Sequence, residues 1–331
     1  MTAAGTILLT RREVAELLTL DECIGAVEEA FRLYGEGRVD HPGVLGVNVP
    51  GGGFHIKAGV LPLQRLYFAA KVNANFPENP TRAGLPTIQG VIVLSDGESG
   101  RPLAILDSME VTALRTAAAT AVAAKYLARA DSRVAAICGC GIQGRVQLRA
   151  LTRVLPLQKT YVWDVDESRA QQFARELSAE LRLEVLPVRE PGQAARESDV
   201  CVTCTPAQRF FLRREDLRPG AFVAAVGADH PDKQELEPAL LAASTVICDL
   251  VEQCAKIGEL HHALAAGVMT SAQVHAELAE VVAGKKPGRS SAEAVIVFDS
   301  TGMALQDVAA TARVYEKALV AQRGLTVDLA A

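Results

Sequence analysis

The stretch between Arg133 and Leu155 constrains this chain more than any other: the apolar run RVAAIC passes into Gly139, Gly141 and Gly144 and then into the amphipathic segment IQGRVQLRALTRVL. In the strand–turn–helix unit of a dinucleotide fold, the first glycine makes the turn. The second lets a pyrophosphate approach the backbone, and the third lets helix and strand pack closely. Three glycines alone are weak evidence. Here the flanking elements are in place, and Asp164 closes the next strand-like run twenty residues after Gly144. A carboxylate there accepts hydrogen bonds from the adenosine ribose hydroxyls and repels a 2′-phosphate, which favours NAD over NADP. Capping the following helix falls better to Asp166, directly before ESRAQQFARELSAEL. A Rossmann domain kept only as scaffold is the competing explanation.

From Arg133 onward, short β-rich runs (RVAAIC, TYVWDV, LEVLPV, DVCVTCT, AFVAAVG, TVICDL, AVIVFDS) alternate with amphipathic stretches. That is the pattern of βαβ units in a parallel sheet covered on both faces. The first 110 residues read differently. Thr10 with Glu13 and Thr19 with Glu22 have the spacing of capping boxes and predict two helices. Strand-like runs follow in FHIKAGV, LYFAAKVNANF, TIQGVIVLSD and RPLAILD, with SDGESG as a hairpin turn, giving a mostly antiparallel layer. An alanine-rich helix is expected over Ser108 to Arg129, and a last helix over Met303 to Ala321 that packs back on the N-terminal layer. The expected fold class is therefore α/β. A Rossmann-type doubly wound parallel sheet, residues 113–303, is inserted in a discontinuous α+β domain formed by residues 1–112 and 304–331.

With 331 residues and 49% hydrophobic content the chain can bury a large core, and its length suggests two domains. A net charge of -5 with 22% charged residues gives no basic field for nucleic acid. The N-terminal MTAAGTILLTRREV has an apolar run too short for a signal-peptide core, and no segment approaches the length of a membrane span, so no membrane partner is expected and the cytoplasm is the expected location. Seven cysteines, mostly within apolar runs, suit buried free thiols. Cys201 and Cys204 have the spacing of a metal or redox pair, yet no second ligand pair accompanies them and they do not open a helix. His261 and His262 lack the i, i+4 spacing of ligands on one helix face, so no metal is expected.

Moving a hydride to carbon needs that carbon made electrophilic, a proton source beside it and a cation for any substrate carboxylate. Lys71 sits on an otherwise apolar strand, where a buried ammonium is costly unless paired or functional; a lysine snorkelling to solvent is the alternative. Arg115 stands among small residues in TALRTAAAT, awaiting either a ligand anion or a structural ion pair. His55 and Lys57 share one strand face by alternation, and one of them is expected to grip a carboxylate. Asp229 follows a strand carboxyl end, where it is placed either to shuttle a proton or to cap the turn before Pro231.

In these segments the sequence resembles the ornithine cyclodeaminase and mu-crystallin family, and its C-terminal half is most similar to the archaeal alanine dehydrogenase branch. KVNANFPENP, GLPTIQGVIVLSDGESGRPLAILD, TALRTAAATAVAAKYLAR, CGCGIQG, GADHPDKQELEP and VFDSTGMALQDVA carry the resemblance across nearly the whole chain. It implies a homodimer whose N-terminal strands build a shared sheet, and a nicotinamide beside Lys71. It makes Lys71 the active-site lysine, Arg115 a neighbour of the substrate carboxylate and Asp229 the proton-transferring carboxylate, with Thr87 and Lys233 in the substrate pocket. Cofactor contacts are implied at Arg115, Thr116, Gly139, Gly141, Ile142, Gln143, Gly144, Asp164, Thr205, Ser300 and Thr301. One departure stands out: where many members carry an arginine after the proline, this chain has Gly43 and Val44 after Pro42, so His55 or Lys57 is left to hold the carboxylate.

The resemblance and the residues together point to an NAD-dependent amino acid dehydrogenase or imine reductase acting on a small L-amino acid and its 2-oxo or imino acid. An ornithine cyclodeaminase that recycles its NAD is one alternative. A ligand-binding protein like mu-crystallin is another.

Overall fold

The computed structural model describes residues 5–329, so the outermost residues of the expected domain spans lie outside the described residues. Along the chain run β1 (Thr6–Leu9), α1 (Arg11–Leu17), α2 (Leu20–Gly35), β2 (Gly43–Val49), β3 (Gly52–Pro62), β4 (Leu66–Asn75), α3 (Asn79–Ala83), β5 (Ile88–Asp96), β6 (Pro102–Asp107) and α4 (Ser108–Leu127). Next come β7 (Val134–Cys138), α5 (Ile142–Val154), β8 (Lys159–Trp163), α6 (Glu167–Leu181), β9 (Glu184–Pro187), α7 (Pro191–Arg196), β10 (Val200–Thr203), β11 (Gln208–Leu212), β12 (Phe222–Ala225) and β13 (Gln234–Leu236). The chain closes with α8 (Pro238–Ala242), β14 (Thr245–Cys248), α9 (Val251–Ile257), α10 (Glu259–Ala265), β15 (Ala276–Glu277), α11 (Leu278–Val282), β16 (Ile296–Asp299), α12 (Ala304–Ala321) and β17 (Leu325–Val327). Contacts divide it into two compact units, Met1–Arg115 with Met303–Ala331, and Thr116–Gly302.

The first unit is built on a seven-stranded sheet in the order β17-β1-β6-β5-β4-β3-β2, antiparallel except where β1 runs parallel to β6. Both capping boxes form: Thr10 accepts from the Glu13 N–H and Thr19 from the Glu22 N–H, each glutamate reaching back. β3 and β4 pair over their whole length, setting His55 opposite Asn73 and Lys57 opposite Lys71. α12 lays a nearly continuous buried face over this sheet, and within that face Gln306 and Asp307 are polar. β1, β2 and β17 were not anticipated. β1 and β17 are too short to show a period, and β2 carries Val44, Leu45 and Val47 exposed at the sheet edge.

The second unit holds an eight-stranded sheet in the order β15-β14-β16-β12-β10-β7-β8-β9, every pair parallel. The chain winds from β7 through β8 to β9, then returns to β10 on the other side of β7, so the strand order reverses between β7 and β10. Ligands of open α/β sheets bind at such a switch point, outside the strand carboxyl ends. The fold is the expected Rossmann-type doubly wound sheet. Its unanticipated additions are β15 and a separate two-stranded sheet, β11 with β13. α4 stops at Leu127, two residues before the expected end at Arg129.

Candidate active site

Lys71 is buried, and its ammonium nitrogen lies 2.8 Å from both carboxylate oxygens of Asp307. Arg115, also buried, donates from Nε to Asp307 Oδ1 at 3.1 Å and from Nη1 to Gln306 Oε1 at 3.1 Å. The snorkelling alternative for Lys71 is thereby excluded, and the structural ion pair considered for Arg115 is present. Lys57, buried and paired in register with Lys71, completes a group of three cations around one carboxylate. Burial drives the Lys71 pKa down to about 7; Arg115 and Lys57 push the same way and Asp307 resists. Burial pushes Asp307 up, but Lys71 and Arg115 outweigh it and hold the carboxyl below the usual carboxylate range. His55 stands two residues from Lys57 on the same strand face, partly exposed. Thr87 precedes β5, its carbonyl accepting from the Phe76 N–H at 2.8 Å.

Asp307 was missed from the sequence, although a signal was available: an acid inside the apolar helical run ALQDVAATA requires a buried partner. A groove of 580 Å³ elsewhere in this unit is lined by Asp21, Glu22, Gly25 and Glu29 of α2 with Arg313 and Glu316 of α12, and none of the expected site residues borders it.

In the second unit the glycine loop is assembled as the motif requires. Gly139 has φ +108°, outside the range of ordinary residues, and a Cβ on Gly144 would collide with the Gly139 carbonyl oxygen. Gly141, by contrast, faces open space at its Cβ position, and it precedes the N-terminus of α5. A backbone cradle left open at a helix N-terminus fits a dinucleotide pyrophosphate. Asp164 lies immediately beyond β8, its Oδ2 accepting from the Cys140 N–H at 2.8 Å and its Oδ1 from the Asp166 N–H at 3.0 Å. The cap of α6 falls to Asp166 as expected, its side chain accepting from the Ser168 and Arg169 N–H groups. Ile142 is 60% exposed beside the cradle and Val165 is 86% exposed beside Asp164. The Gln143 amide oxygen accepts from Gln147 at 3.4 Å.

Other expected contacts differ in orientation. The hydroxyls of Ser300 and Thr301 turn inward to Asp249, at 3.3 Å and 3.1 Å, and the Thr205 hydroxyl donates to Glu235 at 2.8 Å. These three hydroxyls are thus committed to buried carboxylates. Thr116 accepts at its carbonyl from Thr120 within α4. Asp229 is half-exposed and its Oδ1 accepts from the Lys233 ammonium at 2.6 Å, so an ion pair links the expected proton shuttle to an expected pocket residue. The segment is anchored by His262, whose Nε2 lies 2.7 Å from the Lys233 carbonyl.

Below these loops runs a set of buried acids that sequence reading did not find. Glu235 accepts from the Thr205 and Gly227 N–H groups, Glu259 from those of Glu235 and Leu236, and Asp299 from those of Glu259 and Leu260. Burial raises the pKa of each, that of Asp299 to about 7. Cys248, Cys254 and Asp299 bring ligand-type atoms within 4.8 Å of one another. Cys254 spends its thiol on Asp249 and the Asp299 carbonyl, and Asp299 caps α10. All seven cysteines are free thiols, with Cys204 partly buried and the others buried.

Comparison with known proteins gives a match to the profile described as "Ornithine cyclodeaminase/mu-crystallin family" over residues 5–322. Alanine dehydrogenase of Archaeoglobus fulgidus is 39% identical over 321 residues, 95% of each chain. An archaeal alanine dehydrogenase solved as a dimer with bound NAD superposes with a TM-score of 0.94 at 38% identity, covering 98% of this chain and 99% of that one. The Δ1-pyrroline-2-carboxylate reductase of Thermococcus litoralis, solved with NADH and L-proline, gives 0.92 at 34% identity over 97% of this chain and 100% of the other.

Proposed function

Because the chain belongs to the ornithine cyclodeaminase/mu-crystallin family, we propose a working reading of its chemistry: an NAD-dependent oxidoreductase that interconverts a small L-amino acid and its 2-oxo or imino acid. Bound NAD accepts or supplies the hydride. The residues that would hold it are the open cradle at Gly139, Gly141 and Gly144 and the carboxylate of Asp164.

The observation that carries the reading is the buried Lys71 ammonium, which lies 2.8 Å from the Asp307 carboxylate and whose pKa burial lowers to about 7. A cation at that poise holds a proton against the oxygen or nitrogen of a C=O or C=N group, drawing electrons from the carbon, and yields that proton as charge develops. Lys57 with His55, and the Nη2 of Arg115 left over from Asp307 and Gln306, hold the substrate carboxylate. Asp229, steadied by Lys233, exchanges a proton with the medium from its half-exposed position.

A homodimer accompanies this reading. β2 is an edge strand with Val44, Leu45 and Val47 exposed by 46, 57 and 43%, the kind of open apolar edge that a second copy covers. Replacing Leu45 by Lys and Val47 by Glu together should give monomers in analytical ultracentrifugation, and a wild-type sedimentation profile would remove β2 from the interface. Seven cysteines without a disulfide between them, six of them buried, support a reducing, cytoplasmic setting.

The function is tested by following NADH at 340 nm with a panel of 2-oxo acids plus ammonia or methylamine, beside ornithine and lysine assayed for ammonia release. NADH consumption with oxo acid and amine is expected. Ammonia release from ornithine without net absorbance change would identify a cyclodeaminase, and saturable cofactor binding without any turnover a binding protein.

A further inference from the structure

β4 presents Lys71 and Asn73 on one face, two residues and ~7 Å apart, and the strand register sets Asn73 between His55 on β3 and Gly90 on β5. Asn73 is half-buried. Its Oδ1 accepts a 2.6 Å hydrogen bond from the hydroxyl of Ser108, the fully buried first residue of α4. Gly90 makes this arrangement possible. A Cβ at that position would collide with Asn73 Oδ1 and the Val72 carbonyl and would stand 2.8 Å from Ser108 Oγ. The carboxamide is therefore held by its oxygen, and its Nδ2, with two N–H donors, has no hydrogen-bond partner among the described residues.

We propose that Asn73 is a substrate-binding residue whose Nδ2 donates to a carboxylate oxygen of the 2-oxo or 2-imino acid, with Ser108 and Gly90 fixing the direction of the amide. This rests on the function proposed above. An amide can face a carboxylate with either end, attractive by its N–H groups and repulsive by its oxygen; the Ser108 hydroxyl selects the attractive end. The need for such a donor is local. Lys71 and two of the three guanidinium nitrogens of Arg115 are committed to Asp307 and Gln306, and a neutral donor adds direction without a further cation beside Lys57, Lys71 and Arg115.

The test measures pyruvate binding to the NAD-loaded protein by saturation-transfer NMR, where no reduction can proceed, alongside thermal melting. Asn73→Ala should weaken pyruvate roughly ten- to hundredfold, the effect of deleting a hydrogen bond to a charged group. The isosteric Asn73→Asp should weaken it further by repulsion, and Ser108→Ala should fall between wild type and Asn73→Ala. Wild-type pyruvate affinity in Asn73→Ala, undiminished binding in Asn73→Asp, or no pyruvate binding by the wild type would each overturn the assignment. The two readings fail separately. A wild type that binds pyruvate through Asn73 but turns nothing over sinks the oxidoreductase, and one that turns over with Asn73 variants binding normally sinks the subsite.

Discussion

At the scale of single residues, the chemistry rests on how an ammonium can be buried and still titrate near neutrality. Lys71 faces Asp307 from α12, Arg115 from α4 and Lys57 from β3, one anion against two further cations. Burial and the two cations lower its pKa to about 7, below that of a free lysine, so the protonated form is lost as pH rises through that value. Reductive turnover, which draws on the ammonium, should then decline above about pH 7. Asp307→Asn removes the group that favours the charged form, so it should move this limb to lower pH in a profile of kcat/KM. A limb that stayed in place would detach Asp307 from Lys71. A lysine interrupting an apolar strand was legible in the sequence, but its burial was not, since a side chain snorkelling to solvent fitted the same pattern. Its partner was harder to see, because 236 residues separate Asp307 from it and only the helical register of α12 brings them together.

At the scale of elements, the glycine loop was the most legible part of the chain, since its roles follow from backbone geometry that only glycine satisfies. Gly144 lies against a carbonyl oxygen, whereas Gly141 faces open space. The two should separate in experiment. Gly144→Ala should lower the melting temperature because the helix can no longer pack on the loop, and Gly141→Ala should leave melting unchanged while weakening NADH in a fluorescence titration. Equal effects on stability would contradict the assignment. Elements that were not legible lack a buried apolar period: β1, β15 and β17 are very short, β11 with β13 form a sheet of their own, and β2 has its apolar side chains exposed at a sheet edge. The inward turn of the Ser300 and Thr301 hydroxyls was equally hidden, because it depends on Asp249, some fifty residues earlier.

At the scale of the whole molecule, one contiguous unit carries the glycine loop, while the buried cations lie in a unit made from both ends of the chain. The alternation of strands and helices foretold the first, and the mixed strands before residue 110 the second. The orientation of the Asn73 amide was not legible, since it is set by Ser108 and Gly90 from two other elements. The claim underneath all of this is that the Lys71 ammonium activates the group being reduced. It is tested most directly by assaying NADH oxidation with the preferred oxo acid and amine in Lys71→Ala, a variant in which Arg115 still neutralises Asp307. Turnover should fall roughly 10²- to 10⁴-fold, the usual contribution of a positioned acid, with NADH binding unchanged. Turnover at the wild-type rate would contradict the account.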